Sequence, residues 1–497
     1  MRPITIEFWE YLIVVFYMVL IGAIFSRTKN INIKKHPEYK YYIWGVYAKI
    51  VGGVMFSMIY VYYYGNGDTI SYFTSAQPLA KLLMNDPVTY VKAMVEENSW
   101  SNYYRFFNQE TGYPHGYVYI DSRTFILSKL ISPLVILGMN SFLLTGALVS
   151  TIAFGGIWSL YKTFVRYYPS LRGELAIAIL FFPSTVFWGS GIMKDTFTFT
   201  AMCWYVHSMD SIFFQKRDKV KSWFTAVIAT LVMISMKPYI FMMIFPGTLL
   251  WIMYHRVQRL PNAMIRALFL PFALITMGFI TVTILNSLGD QLNKFSLDKA
   301  LETVVVAQKD MKRSEQYGDN YFDLGEVEAT WTSVISKFPS ATFAGLFLPS
   351  ILHSNNIVMF IAALENTWLL IFFVRILVRT RIYHFITLLR TNPLLQMCFL
   401  FTMGYAFMIG VTTPNFGAMV RFKIPLLPLF VSAMYISSFI LDKRRDRIRN
   451  GKHFSFTWFT DGEPRGLQPE TASNVRKQSA RPTSGIRSRP RIPLQPS

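Results

Sequence analysis

Runs of about twenty apolar residues recur along the whole of this 497-residue chain, and they leave few folds open. A helix needs about 20 such residues to cross the hydrocarbon core of a bilayer. Runs of this kind are read at 8–26, 41–63, 139–161, 267–287, 356–378, 394–411 and 422–440. Two tighter pairs lie between them, 175–190 with 196–214 and 222–236 with 239–255. The first pair turns at Gly189 to Asp195, the second at Met236 to Tyr239. The expectation is an all-α, polytopic integral membrane protein of about eleven spans, with its membrane domain over 1–440.

Composition agrees. Only 15% of residues are charged and 52% are hydrophobic, where a soluble domain carries about a quarter charged residues. The two cysteines, Cys203 and Cys398, sit inside apolar runs, which excludes a disulfide framework. The first run lacks a small-residue cleavage site and is soon followed by another span, so it reads as an anchor.

Orientation follows from lysine and arginine, which concentrate on cytoplasmic loops. Segments 27–40, 162–174, 215–221, 255–266 and 375–390 carry five, three, four, three and four of them. All five alternate correctly with the spans, and the tail from 441 adds thirteen basic against five acidic residues on the same side. The N-terminus is therefore expected outside and the C-terminus inside. The net charge of +21 then reflects topology and anionic membrane lipids, and no nucleic-acid partner is expected. The tail, 441–497, reads as cytoplasmic and, from about 462, as disordered.

Function is expected on the outer face. Loops of about 65–125 and 288–340 face outward in this scheme, and the run 126–138 is too short to cross comfortably. An interfacial or re-entrant helix is expected there, and an interfacial stretch at Trp331 to Pro349. Together they suggest a roofed cavity at the bilayer boundary. Lys194, Asp195, Lys237 and Arg421 stand at outer ends of spans, and Glu365 lies inside one. Long basic side chains can snorkel to the interface, but three outer turns each carrying a cation form a pattern, and ionisable groups at this depth point to function. Cations at one boundary suit an anionic ligand whose apolar part stays in lipid, such as a polyprenyl phosphate. Asp68, after the Gly65-Asn66-Gly67 turn, is placed either as a turn residue or as a carboxylate that takes a proton from a sugar hydroxyl or holds a divalent ion.

Three stretches carry a resemblance. Gly67-Asp68 followed by Tyr72 is similar to the Asp-x-x-x-Tyr neighbourhood of the multispanning GT-C glycosyltransferases. Phe182-Pro183-Ser184-x-x-Phe187-Trp188-x-Ser190-Gly191-x-x-Lys194-Asp195 resembles a stretch in bacterial members. Arg421-Phe422-Lys423-Ile424-Pro425-Leu426-Leu427-Pro428 looks like their late Arg-aromatic-x-x-Pro-x-x-Pro span. The family places its acidic loop after the first span, whereas here it follows the second. The resemblance implies an inverting transferase in a bacterial cytoplasmic membrane, with a lipid-linked sugar as donor and a glycan or lipid as acceptor. Asp68 would be catalytic, Lys194, Lys237 and Arg421 would hold the lipid phosphate, and Asp195, Arg123, His115 and Glu365 are further candidates. If a metal takes part, Mg or Mn fits carboxylate oxygens best, though no residue cluster demands one. An O-antigen polymerase or ligase would rely instead on Arg105, His115, Arg123 or Arg421. A transporter or flippase of lipid-linked sugars would line a path near the midplane with charge.

Overall fold

The structure, a computed structural model, describes residues 4–258, 297–312, 320–354, 357–380 and 382–451, with a few isolated positions besides. The described residues are helical with short connections, apart from one isolated antiparallel bridge between Tyr321 and Asn415. Among the described residues seven helices are long and apolar enough to cross a membrane. They are α1 (Phe8–Asn32), α2 (Tyr42–Tyr62), α8 (Phe142–Tyr167), α12 (Lys219–Met236), α17 (Ile357–Thr380), α19 (Pro393–Thr412) and α21 (Leu426–Arg449). Between α2 and α8 stand α3 (Asp68–Asn85), α4 (Pro87–Val95), α5 (Trp100–Phe106), α6 (Gly116–Ile120) and α7 (Ser122–Leu137). Next come α9 (Arg172–Ile179), α10 (Pro183–Phe187), α11 (Lys194–Asp210) and, after α12, α13 (Pro238–Gln258). The insert before α17 holds α14 (Leu297–Met311), α15 (Trp331–Ser336) and α16 (Phe338–Phe347), and the last third adds α18 (Ile382–Thr391) and α20 (Phe416–Phe422).

Four of the expected spans lie outside the seven. The run 175–190 is not one helix: α9 ends at Ile179, the chain extends at Phe182, and α10 restarts at Pro183. Proline disfavours helical backbone in the residue before it, so a break falls there despite continuous hydropathy. The run 196–214 covers α11 and the π-helical turn that follows it at Ser211–Gln215, and α11 is largely enclosed. Its Thr196, Thr198 and Thr200 are buried, and it packs against α8 and α12. The run 239–255 is α13, and 267–287 lies outside the described residues.

The stretch Trp331 to Pro349, read as interfacial, holds α15 and α16. α16 sinks against α19, where a side chain at Gly345 would strike the Ala406 carbonyl and one at Gly410 the Ala341 carbonyl. Two small residues four apart on each helix thus bring the backbones together. The first residues of the tail continue α21 as far as Arg449, and Asp442 pairs with Arg379 at 2.9 Å. Residues 462–497, read as disordered, lie outside the described residues, as do Arg313 and Glu315 of the insert. The stretch read as interfacial at 126–138 falls in α7, whose 16 residues pack against α3 and α8.

Candidate functional site

The turn after α2 sets the first wall of the site. Gly67 has φ +141°, and a side chain there would meet the Tyr60 ring. Only glycine fits both the backbone angle and the space. Asn66 Oδ1 accepts from the Gly67 amide at 2.7 Å, and the turn delivers Asp68 as the first residue of α3. A carboxylate is favoured there by the helix dipole.

The second wall comes from α10 and α11. α10 has only five residues and is held at both ends: Glu365 Oε2 accepts from the Ser184 amide at 2.8 Å, and Lys49 Nζ donates to the Thr185 and Gly189 carbonyls at 2.8 and 2.6 Å. An acid at the N-terminal end and a cation at the C-terminal end both match the dipole. This short helix presents Trp188 and leads into the first turn of α11, where Lys194 and Asp195 sit. The third wall is α20. Asn415 caps it by accepting from the Ala418 amide at 3.1 Å, and Arg421 stands in its last turn. Residues 320–322 lie along 414–416 and bring Asn320 to the rim.

These walls enclose a cavity of about 730 Å³, whose lining includes Asp68, Arg421, Tyr60, Tyr64, Trp188 and three asparagines, Asn66, Asn320 and Asn415. Arg421 sits between two carboxylates. Its Nη1 lies 3.6 Å from Asp68 Oδ2 and its Nε 3.9 Å from Asp195 Oδ2. Both separations exceed a hydrogen bond, and Nε is buried with no hydrogen-bond partner among the described residues. Burial alone would lower the Arg421 pKa, but Asp195, Tyr60 and Asp68 raise it above the ordinary guanidinium value. Asp195 is spoken for: its Oδ1 takes a bond from Lys237 Nζ at 2.5 Å, and Lys237 also sits over the Phe422 ring at 4.2 Å. Asp68 differs, with its side chain 49% exposed against 3% for Asp195. The accessible charges of the cavity are therefore Asp68 and one edge of Arg421.

Four of the residues singled out in the sequence thus converge: Asp68, Asp195, Lys237 and Arg421. Lys194 stands within electrostatic reach of Asp68, Asp195 and Lys237 but does not line the cavity, and its Nζ donates to Thr124 Oγ1 of α7 at 2.9 Å. His115 bonds Thr74 through Nε2 at 2.9 Å, with burial holding its imidazole below the ordinary value, and it is not among the lining residues. Arg123 stands beside Asp121 at the start of α7, and Arg105 pairs with Glu96, both away from the cavity. Glu365 acts on the α10 backbone. Among the described residues no three His, Cys, Asp or Glu side chains gather as metal ligands. The two nearby carboxylates flank a guanidinium, so this donor set fits Arg421 better than a divalent ion.

Sequence reasoning missed Lys49 and the role of Lys423, whose Nζ donates to the Leu346 and Leu348 carbonyls and to Asn366 Oδ1 at 2.9, 2.6 and 3.0 Å. The signal for Lys49 was present, a lone cation inside an apolar run. The aromatic and asparagine lining had no such signal. Comparison with known protein families, with curated proteins and with solved structures finds no match to this chain.

Proposed function

We propose that this chain is a membrane glycosyltransferase that moves a sugar from a polyprenyl-phosphate-linked donor to an acceptor at the extracytoplasmic face, in a bundle of about eleven spans with its N-terminus outside. The observation that supports it is the cavity in which half-exposed Asp68 faces Arg421, a guanidinium with one donor still unsatisfied. Asp68 takes the proton of the acceptor hydroxyl as that oxygen bonds to the anomeric carbon. The bond from that carbon to the donor phosphate breaks, and Arg421 stabilises the negative charge left on the phosphate. One displacement inverts the anomeric centre. The asparagines supply amide donors and acceptors for sugar hydroxyls. A lipid donor is favoured by α17, which borders the cavity at Val358 and Met359 while exposing Ile357, Ile361 and Leu364. Lys237 and Lys194 act behind the cavity, as positioning residues.

A transporter would line a path with its buried charges, but Lys49 and Lys423 are tied to backbone carbonyls and do not line this cavity. The deciding experiment supplies purified protein with polyprenyl-phosphate sugars and candidate acceptors. Asp68→Asn should lower product formation about 10²–10⁴-fold while the donor still binds. Arg421→Ala should weaken donor binding and turnover together. A fully active Asp68→Asn with a crippled Arg421→Ala would reject this mechanism in favour of a polymerase or ligase.

A further inference from the structure

A second polar cavity, about 750 Å³, lies at the other end of the same helices. It touches Tyr39, just before α2, whereas Tyr60 and Tyr64 of the first cavity stand at the far end of that helix. The 21 residues of α2 separate the two by about 30 Å. Three of the basic segments read from the sequence meet here, 27–40, 162–174 and 215–221, so part of the charge bias is folded into a built site and not spread over the surface.

Its cations are Lys162, Arg166, Arg217 and Lys221. Arg166 spends one guanidinium nitrogen on Asp210, while its Nε is buried without a hydrogen-bond partner among the described residues. The side chains of Lys162, Arg217 and Lys221 make no ion pair within 4.0 Å among the described residues. Two carboxylates, Glu38 and Asp218, also line the space, and Glu38 lies 3.3 Å from His36. With Arg166 paired to Asp210, three cations face two acids, and the cavity stays positive. Ser208, Ser211 and Ser222 stand among them, while the Thr225 hydroxyl donates to the Lys221 carbonyl at 2.9 Å. Cations with hydroxyl donors are the groups that bind phosphate oxygens.

The wall formed by α12 shows where the ligand comes from. Lys221, Ser222 and Thr225 face the cavity, while Val220, Phe224 and Val227 of the same helix are exposed and apolar. A ligand entering beside α12 can keep its head among the cations and its chains along this face. We propose that this cavity binds the phosphate-bearing headgroup of an anionic lipid, at a site separate from the first cavity and independent of the function proposed for it.

The test uses the full purified chain and native mass spectrometry with phosphatidic acid, phosphatidylcholine and inorganic phosphate as probes. One phosphatidic acid should be retained in preference to phosphatidylcholine. Lys162→Gln/Lys221→Gln should weaken it by about a hundredfold, roughly tenfold for each cation removed. Lys34→Gln/Lys35→Gln removes the same charge from exposed positions of the same end that do not line the cavity, and should leave binding within about twofold. Lys162→Arg/Lys221→Arg should keep the lipid, which separates loss of charge from loss of fold. Inorganic phosphate that displaces the lipid, and alone raises the unfolding temperature as much, would make a soluble phosphate compound the occupant. Equal weakening in the two glutamine pairs would overturn the proposal, as diffuse attraction to surface charge. So would the absence of any one-to-one retention.

Discussion

Asp195 and Lys237 are the most enclosed ion pair beside the first cavity, with side chains 3% and 7% exposed. Removing one partner of such a pair leaves a buried charge uncompensated, at about 3–5 kcal/mol. Lys237→Met should therefore lower the thermal unfolding temperature in detergent markedly, and adding Asp195→Leu should recover much of that drop. If the double variant melts no higher than Lys237→Met, the pair is not what holds this corner. The residues that converge were legible because each is a charge at the end of an apolar run, where hydropathy leaves it without an excuse. Lys194 shared that signal and lies behind the same group, but its ammonium is bound to α7 and does not reach the cavity. At the first position of α11 its side chain reaches α7, and nothing local distinguishes that direction from the one Asp195 takes. Tyr60, Trp188 and Asn320 were illegible for a different reason: the walls they face arrive from distant parts of the chain, whereas Asn66 and Asn415 carry only local turn and cap signals.

α10 is the element on which the site depends most. Five residues cannot hold a helix by their own hydrogen bonds, so Glu365 and Lys49 must do so from α17 and α2. Lys49→Met leaves two buried carbonyls without that donor, each costing about 1–3 kcal/mol. Hydrogen exchange should then quicken across Phe182 to Met193 while α8 keeps its protection. Unchanged exchange in that stretch would show that the backbone clamp is not what orders it. Hydropathy reads 175–190 as one span since the residues up to the break, Ile177 to Phe182, are apolar, and only Pro183 marks it. α16 escaped for a similar reason. Its Ala341 and Gly345 look like ordinary surface-helix residues until the matching Ala406 and Gly410 of α19 are set against them.

At the scale of the whole molecule, recurrent apolar runs made the helical membrane class legible and supplied the count of spans, while their sidedness rests on the charge bias. Sidedness can be read by labelling, and the two native thiols are buried, so introduced cysteines report cleanly. Glu97→Cys should react with an impermeant reagent from outside, whereas Lys35→Cys and Arg449→Cys should react only after the membrane is opened. A reactive Arg449→Cys in sealed cells would invert the scheme and both cavities with it. The clamp on α10 also has a consequence for synthesis. Glu365 lies 181 residues beyond the amide it caps. At about 5–20 residues per second, a ribosome takes roughly 10–40 s to supply it. During that interval the nascent chain holds an apolar segment that is already broken but not yet tethered at its N-terminal side. The clamp is therefore closed only after α17 has been delivered and the cavity only after α20, and a chain truncated before residue 357 should enter the membrane with neither.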